Sequence, residues 1–149
     1  MDLTLHREGS YAVCVAARLT GLRAGDRRLS AAEIAQECNI PQAILRKTAL
    51  HLARGGVIEG TRGCGYRLPP EGAPATLLDV IRPFDGACLE RDGCFAKDGA
   101  CPVSEVCPAR ALARRIRGDL RDGLAGIPVG ALPLDARGIP HCFQATPEA

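Results

Sequence analysis

The spacing of apolar and polar positions predicts two helices in the N-terminal part of the chain. Residues 10–20 are apolar on nearly every side, a pattern typical of a buried helix. After a loop rich in glycine and charge, Ser30 and Glu33 have the spacing of a capping box, in which each side chain accepts a hydrogen bond from the backbone of the other residue. A short second helix is therefore expected from here to about Glu37.

A third helix follows almost at once. Pro41 suits the first turn of a helix, and an amphipathic pattern then runs from about Gln42 to Arg54, before the glycine pair at 55–56. Its apolar stripe consists of Leu45, Ala49 and Leu52. Two short helices joined by a tight turn are the pattern of a helix-turn-helix, although many helical hairpins share it.

Two short segments after this helix predict a β-hairpin. We expect strands at about Val57–Glu59 and Tyr66–Leu68, with Gly, Arg and Cys residues between them at the tip. A hairpin directly after a helix-turn-helix predicts a mainly α fold with a small β-hairpin wing, a winged helix-turn-helix, over residues 1–70. In such a fold the second helix of the pair enters the major groove of DNA, and the wing contacts the backbone or the minor groove.

The remaining sequence predicts a second unit, residues 71–125, with a cysteine-rich loop and a long helix. Thr76 and Asp79 mark the start of a helix after a proline-rich linker. The long helix carries a narrow apolar stripe on a charged surface, which favours dimerisation with a second copy of the chain, although the stripe could instead pack on its own domain. The stripe consists of Leu112, Ile116, Leu120 and Leu124. Residues 126–149 show no periodicity, and we expect a poorly ordered tail.

Composition narrows the class of protein. The 149 residues are 46% hydrophobic and 24% charged, as in an ordinary globular protein. The N-terminus lacks the pattern of a signal peptide, and no window is apolar enough to span a membrane. We therefore expect a cytoplasmic protein with no membrane partner and with reduced thiols. Metal binding or redox chemistry then becomes the leading explanation for at least some of its 8 cysteines.

Charge is distributed unevenly along the chain, although the net charge is only +2. Between residues 42 and 67, the basic residues are opposed by Glu59 alone. These basic residues are Arg46, Lys47, Arg54, Arg62 and Arg67. A local basic surface on a winged helix is the electrostatic pattern expected for binding to double-stranded DNA. On charge alone, a solvated helix face would explain the same residues.

Four cysteines follow one another at intervals too wide for a zinc knuckle. Cys88, Cys94, Cys101 and Cys107 have five, six and five residues between them, whereas the cysteine pairs of structural zinc sites commonly have two to four residues between them. A glycine-containing loop with such gaps can surround something wider than one ion, and thiolates are the usual ligands of iron–sulfur clusters. Three alternatives stay open: a structural zinc, a metal-free regulatory disulfide between Cys88 and Cys94, and surface thiols in a flexible loop.

The other candidate reactive side chains are scattered. Cys14 and Cys38 fall within predicted helices and are most simply small buried hydrophobic residues, while Cys64 lies at the tip of the wing. The three histidines are far apart in the sequence: His6, His51 and His141. No nucleophile stands out with a neighbouring base, so we do not expect an enzyme.

The order of these segments resembles the Rrf2 family of bacterial winged-helix transcription regulators, of the IscR and NsrR type. The likeness extends over about residues 1–125 and rests on "IAQECNIP", "RGCGYRL" and "LLDVI", followed by three cysteines before a long helix. The resemblance implies a homodimer whose long helices cross, bound to a palindromic operator in double-stranded DNA. It also implies an iron–sulfur cluster, with two or four irons, whose redox state, loss or nitrosylation changes promoter binding.

The resemblance also implies the residues that hold the cluster. The three cysteine ligands of the family fall on Cys94, Cys101 and Cys107. The fourth ligand varies in the family, and the histidine of the IscR type falls here on Arg110, which cannot bind iron. Related regulators use an acidic residue near the first helix of the partner subunit. Counting from the start of the chain places that ligand at Glu8, aligning on "YAV" favours Cys14, and Cys88 is a third candidate.

The DNA-contacting positions of the family fall on the start of the second helix of the pair and on the wing. They are Gln42, Ala43, Arg46, Lys47 and Arg62. The wing is shorter than the common "RGPGGGY", since this chain has "RGCGY". The sequence therefore predicts a transcription regulator, a repressor, that senses redox state or nitric oxide through an iron–sulfur cluster.

Overall fold

The computed structural model describes residues 7–22, 27–70, 75–90 and 106–136. Within these ranges the chain forms five α-helices and one antiparallel hairpin. In chain order they are α1 (Arg7–Thr20), α2 (Ala31–Glu37), α3 (Gln42–Arg54), β1 (Glu59–Thr61), β2 (Gly65–Arg67), α4 (Leu77–Glu90) and α5 (Pro108–Ala125), with a 3-10 turn at Val129–Ala131. The predicted mainly helical fold with a hairpin wing is confirmed. No helix in the described part of the chain is both long and apolar enough to cross a membrane.

Helix α1 forms the centre of the hydrophobic core. Every residue from Ala12 to Leu19 is buried, and the helix packs on α3 and α4. The predicted buried helix at 10–20 is confirmed, and its first turn begins earlier, at Arg7. Because α4 packs on α1, the predicted DNA-binding unit and the described part of the predicted second unit share one core.

The helix-turn-helix consists of α2 and α3. The capping box of α2 is present: Ser30 Oγ accepts a hydrogen bond from the Glu33 N–H at 3.2 Å, and the Glu33 carboxylate accepts one from the Ser30 N–H at 2.8 Å. Asn39 in the turn has a φ of 52°, in the left-handed region that asparagine tolerates better than most residues. Both helices end where the sequence predicts.

The wing is displaced slightly from its predicted position. Val57 and Ile58, expected to begin the first strand, are buried in the core instead, and pairing starts only at Glu59. Leu29 forms an isolated antiparallel bridge with Tyr66 beside the two-stranded hairpin. Its N–H donates to the Tyr66 carbonyl at 3.0 Å, and its carbonyl accepts from the Tyr66 N–H at 2.7 Å.

Helix α4 is longer than its apolar pattern suggests. Its start is as predicted, since the Asp79 N–H donates to Thr76 Oγ1 at 3.3 Å and the Asp79 carboxylate accepts from the Thr76 N–H at 2.9 Å. It continues past Pro83 to Glu90, so the backbone of Cys88 is helical. Cys88 is therefore part of α4, and its predicted place in the cysteine-rich loop is wrong. The Cys88 side chain lies outside the described part of the structure.

The apolar stripe of α5 divides into two parts. Leu120 and Leu124 pack on the core of their own domain, whereas 52% of Leu112 is exposed. The chain then returns to the domain: the Leu77 N–H donates to the Ile127 carbonyl at 2.9 Å, and Val129 is buried. Residues 126–136 are therefore a packed part of the fold, which differs from the expected poorly ordered tail. Residues 137–149 lie outside the description.

Candidate DNA-binding surface and cysteine sites

Helix α3 separates a buried face from an exposed polar one. The residues of its buried face are Leu45, Thr48, Ala49 and Leu52. The predicted DNA-contacting residues of this helix are all exposed: Gln42, Ala43, Arg46 and Lys47. They occupy the first two turns, which follow Pro41 at the N-cap without a side-chain capping bond. The helix thus presents a basic end, with free backbone N–H groups, away from the core.

Lys47 also connects α3 to α1. Its Nζ lies 2.7 Å from Oε1 of Glu8, and both side chains are partly exposed, 59% for Lys47 and 43% for Glu8. A predicted DNA contact and a predicted cluster ligand are therefore paired with each other within one protomer. Sequence reasoning missed this contact because 39 positions separate the two residues, and no periodic pattern marks such a pair.

The wing places its predicted DNA contact in an exposed turn. Arg62 follows β1 directly, and the exposed Cys64 lies in the same turn, as predicted. Behind the turn, Arg67 and Glu59 pair across the two strands, with Arg67 Nη2 at 2.9 Å from Glu59 Oε2. This pairing neutralises Arg67, one of the five basic residues in the charge count, and leaves Arg62 as the basic residue of the turn.

Of the three predicted cysteine ligands, the described part of the structure contains Cys107. It is the N-cap of α5, it is partly exposed, and its side chain makes no capping hydrogen bond. Cysteine binds metals through its sulfur as a thiolate. Cys94 and Cys101 lie outside the described residues. A partly exposed thiol at a helix start fits the role of an iron–sulfur ligand.

Cys14 and Cys38 meet in the core. Cys14 is 1% exposed and Cys38 is 6% exposed, which confirms their predicted burial. A hydrogen bond from the Cys14 thiol lowers the pKa of Cys38, against the opposite effect of burial. Beside them, the Arg18 Nε donates to the Glu37 carboxylate at 2.7 Å, with only 9% of the Arg18 side chain exposed. Sequence reasoning found each cysteine's burial but not their contact.

The one histidine among the described residues, His51, has a packing role. The ring of His51 packs against Phe84 with 5.6 Å between centroids, while His6 and His141 lie outside the described residues. Across residues 7–22, 27–70, 75–90 and 106–136, no group of three or more His, Cys, Asp or Glu side chains could hold a metal ion. A complete metal site would therefore need ligands from elsewhere in the chain or from another copy.

Comparison with known proteins places these features in context. A family model described as Rrf2, iron-dependent transcriptional regulator, matches residues 5–132. No curated protein sequence matches the chain. Among solved structures, CymR (YrzC), the global cysteine regulator of B. subtilis, is 23% identical with a TM-score of 0.65, covering 87% of this chain and 94% of its own.

Two further solved structures have the same fold. The oxidised form of Staphylococcus aureus CymR is 23% identical with a TM-score of 0.61, and the match covers 86% of this chain and 94% of that one. T. potens IscR is 20% identical with a TM-score of 0.62, and the match covers 87% of this chain and 85% of that one.

Proposed function

The chain belongs to the Rrf2 family of iron-dependent transcriptional regulators, and from this premise we propose that it is a homodimeric repressor that senses redox state or nitric oxide through an iron–sulfur cluster. Members of this family regulate transcription and are not enzymes. The observation that carries the proposal is Cys107, a partly exposed thiol at the start of α5 that makes no capping bond. Cys94 and Cys101 precede it at the ligand spacing of the family.

DNA binding is assigned to the exposed end of α3 and to the wing. Gln42 and Arg46 are at the start of the helix, where side chains can reach base edges, and glutamine and arginine pair with adenine and guanine respectively. Lys47 and Arg62 are suited to phosphate contacts, which position the protein without reading sequence. Two copies of this surface in a homodimer would bind a palindromic operator, whose half-sites mirror the symmetry of the protein.

The dimer is assigned to α5. Leu112 is half-exposed, and Val106, just before the helix, is 82% exposed. Both precede the part of the stripe that packs on its own core, so they are available to a second copy. In this arrangement the start of α5, with Cys107, lies at the subunit interface.

We assign the fourth cluster ligand to Glu8 of the second subunit. The Glu8 side chain is partly exposed in the first turn of α1, where a second subunit could approach it. Cys14, the other leading candidate, is turned into the core of its own protomer and contacts Cys38. A cluster held by another subunit could not reach Cys14 without opening that core. Cys88 stays a third candidate.

This assignment gives a direct route from the cluster to the DNA-binding helix. When bound, the cluster supplies a centre that reacts with oxidants and nitric oxide. Glu8 can pair with Lys47 or serve as a ligand, and using it as a ligand weakens its pairing with Lys47. Lys47 is then more available to a DNA phosphate. Gain or loss of the cluster would therefore change the charge that α3 presents to DNA.

The test is replacement of a cysteine that has no other described role. Protein purified without oxygen should be brown, and Cys101→Ala should lose the iron and the colour, together with any response of DNA binding to nitric oxide. The matched control, Cys64→Ala, removes an exposed thiol from the wing and should keep the colour. An operator can be selected from a pool of random double-stranded DNA. Full colour and full nitric oxide response in Cys101→Ala would refute the cluster assignment.

The alternatives give different outcomes in the same experiment. A structural zinc would give colourless protein with stoichiometric zinc. A regulatory disulfide between Cys88 and Cys94 would give metal-free protein whose DNA binding is reversed by reductant. Glu8→Gln tests the fourth ligand: we expect loss or alteration of the visible spectrum, whereas Cys14→Ala should leave it unchanged.

A further inference from the structure

The contact between Cys14 and Cys38 lies apart from the cysteines assigned to the cluster. Cys14 is in the middle of α1, and Cys38 directly follows the end of α2. Both thiols are buried, and they are hydrogen-bonded to each other. Two hydrogen-bonded thiols are neighbours in space, which is the first requirement for a disulfide, whose S–S distance is about 2.05 Å.

An ion pair holds the same two segments together. Arg18 is one turn beyond Cys14 on α1, and Glu37 is adjacent to Cys38. Their side chains are joined by two hydrogen bonds, at 2.7 Å from Nε and 3.3 Å from Nη2 of Arg18. The partly buried ion pair therefore keeps the two thiols opposite each other. No third potential ligand among the described residues completes a metal site around them.

We propose that Cys14 and Cys38 form an oxidation site, at which a hydroperoxide such as hydrogen peroxide produces an intramolecular disulfide. The sulfur of Cys38, after losing its proton to water, attacks one peroxide oxygen. The O–O bond breaks, the departing hydroxide takes up a proton, and a sulfenic acid remains on Cys38. The sulfur of Cys14 then attacks that sulfur, the S–O bond breaks, and the Cys14 proton leaves with the hydroxide as water. Two thiols and one peroxide thus become one disulfide and two waters.

The position of the pair determines what the disulfide would join. Cys38 begins the turn between α2 and α3, and α3 starts four positions later at Gln42. A covalent bond to Cys14 would tie that turn to α1, at the base of the DNA-binding surface. This site goes beyond the proposed cluster function and does not depend on it. Its burial restricts it to small oxidants, because bulky reagents cannot reach either sulfur in the folded protein.

Peptide mapping of the full chain tests the proposal directly. Protein purified without oxygen is treated with hydrogen peroxide, quenched with catalase, unfolded in iodoacetamide and digested with trypsin without reductant. Trypsin cleaves after Arg7 and Arg18 and after Arg28 and Arg46, so Cys14 and Cys38 fall in separate peptides, 8–18 and 29–46, with no other cysteine. We expect these two peptides linked, lighter by two hydrogen atoms than their sum, and separated again by reductant.

Several results would overturn the proposal. One is full alkylation of both peptides under conditions that oxidise the exposed Cys64; others are linkage of either peptide to a different cysteine, or sulfinic acid without linkage. Cys64→Ala should keep the link and Cys38→Ala should abolish it. The decisive measurement uses the unaltered chain, so it stands even if Cys38→Ala does not fold. Cys101→Ala should lose its colour and keep the link, which separates failure of this proposal from failure of the cluster assignment.

Discussion

Replacing Gly65 by alanine should destabilise the wing through a steric clash with the backbone of Leu29. Gly65 has a φ of 90°, and an added Cβ would lie 2.4 Å from the carbonyl oxygen of Leu29 and 2.7 Å from its carbonyl carbon. The obstructing atoms are backbone, so no side chain can rotate away. Leu29 would have to move, and its two hydrogen bonds with Tyr66 would be strained or lost.

The size of the effect follows from these two contributions. An alanine in the left-handed region costs about 1–2 kcal/mol. Loss of two backbone hydrogen bonds adds about 0.5–1.5 kcal/mol each. Gly65→Ala should therefore lower the free energy of unfolding by about 2–5 kcal/mol. Gly63, in the same hairpin, is a matched control: its φ is 79°, and an added Cβ has nothing within 4 Å. Gly63→Ala should cost only the backbone strain.

Urea unfolding of both variants, followed by circular dichroism, measures the difference. We expect Gly65→Ala to be less stable than Gly63→Ala by about 1–3 kcal/mol, which is the contribution of the two hydrogen bonds between Leu29 and Tyr66. Equal destabilisation of the two variants would refute the argument, since it would show that Leu29 does not hold the wing in place.

Four further predictions concern the helices. Ser30→Ala should cost about 1 kcal/mol of unfolding free energy in urea titrations. The hydrogen bond from the Ser30 N–H lowers the pKa of Glu33, so the stabilisation by Glu33 is present above its unfolded-state pKa and is lost as pH falls through the lower folded-state pKa. The difference in unfolding free energy between the wild type and Glu33→Gln should therefore shrink on acidification. A difference that stays constant with pH would contradict this. Glu37→Gln weakens the ion pair that Glu37 forms with the buried Arg18 and should cost about 1–3 kcal/mol, whereas Asp119→Asn, in an exposed pair, should change stability little. Lys47→Ala should reduce the slope of log affinity against log salt by about 0.9 in DNA titrations, and an unchanged slope would exclude a phosphate contact.

Local signals in the sequence predicted the helix-turn-helix closely. The capping box at Ser30 and Glu33 and the glycine pair after Arg54 act within a few residues, so their effect can be determined without knowing the fold. The strands were harder to locate, because Val57 and Ile58 have the side chains of a strand but are used to fill the core. Whether an apolar residue joins a strand or packs in the core depends on the residues that surround it in the folded protein.

Contacts across the fold could not be predicted in the same way. Glu8 and Lys47 are on different helices, and so are Cys14 and the residues around Cys38; only the packing of α1 on the helix-turn-helix brings them together. Family resemblance named Glu8, Cys14 and Lys47 for separate roles. It could not indicate that Glu8 and Lys47 form an ion pair with each other, or that Cys14 is buried in the core.

The wing is fixed at both ends, and this limits how the protein can adapt to DNA. Val57 and Ile58 join it to the end of α3 through the core, and Leu29 joins it to the start of α2. The core and the Leu29 bridge therefore hold α3 and the wing together, and under the proposed function the distance between their DNA contacts should be constant within each subunit. Any rearrangement of a dimer would alter the separation between half-sites and leave the length of each half-site unchanged. A series of operators with identical half-sites and different spacer lengths would therefore report a conformational change in this regulator, as a change in the spacer length that it binds most tightly.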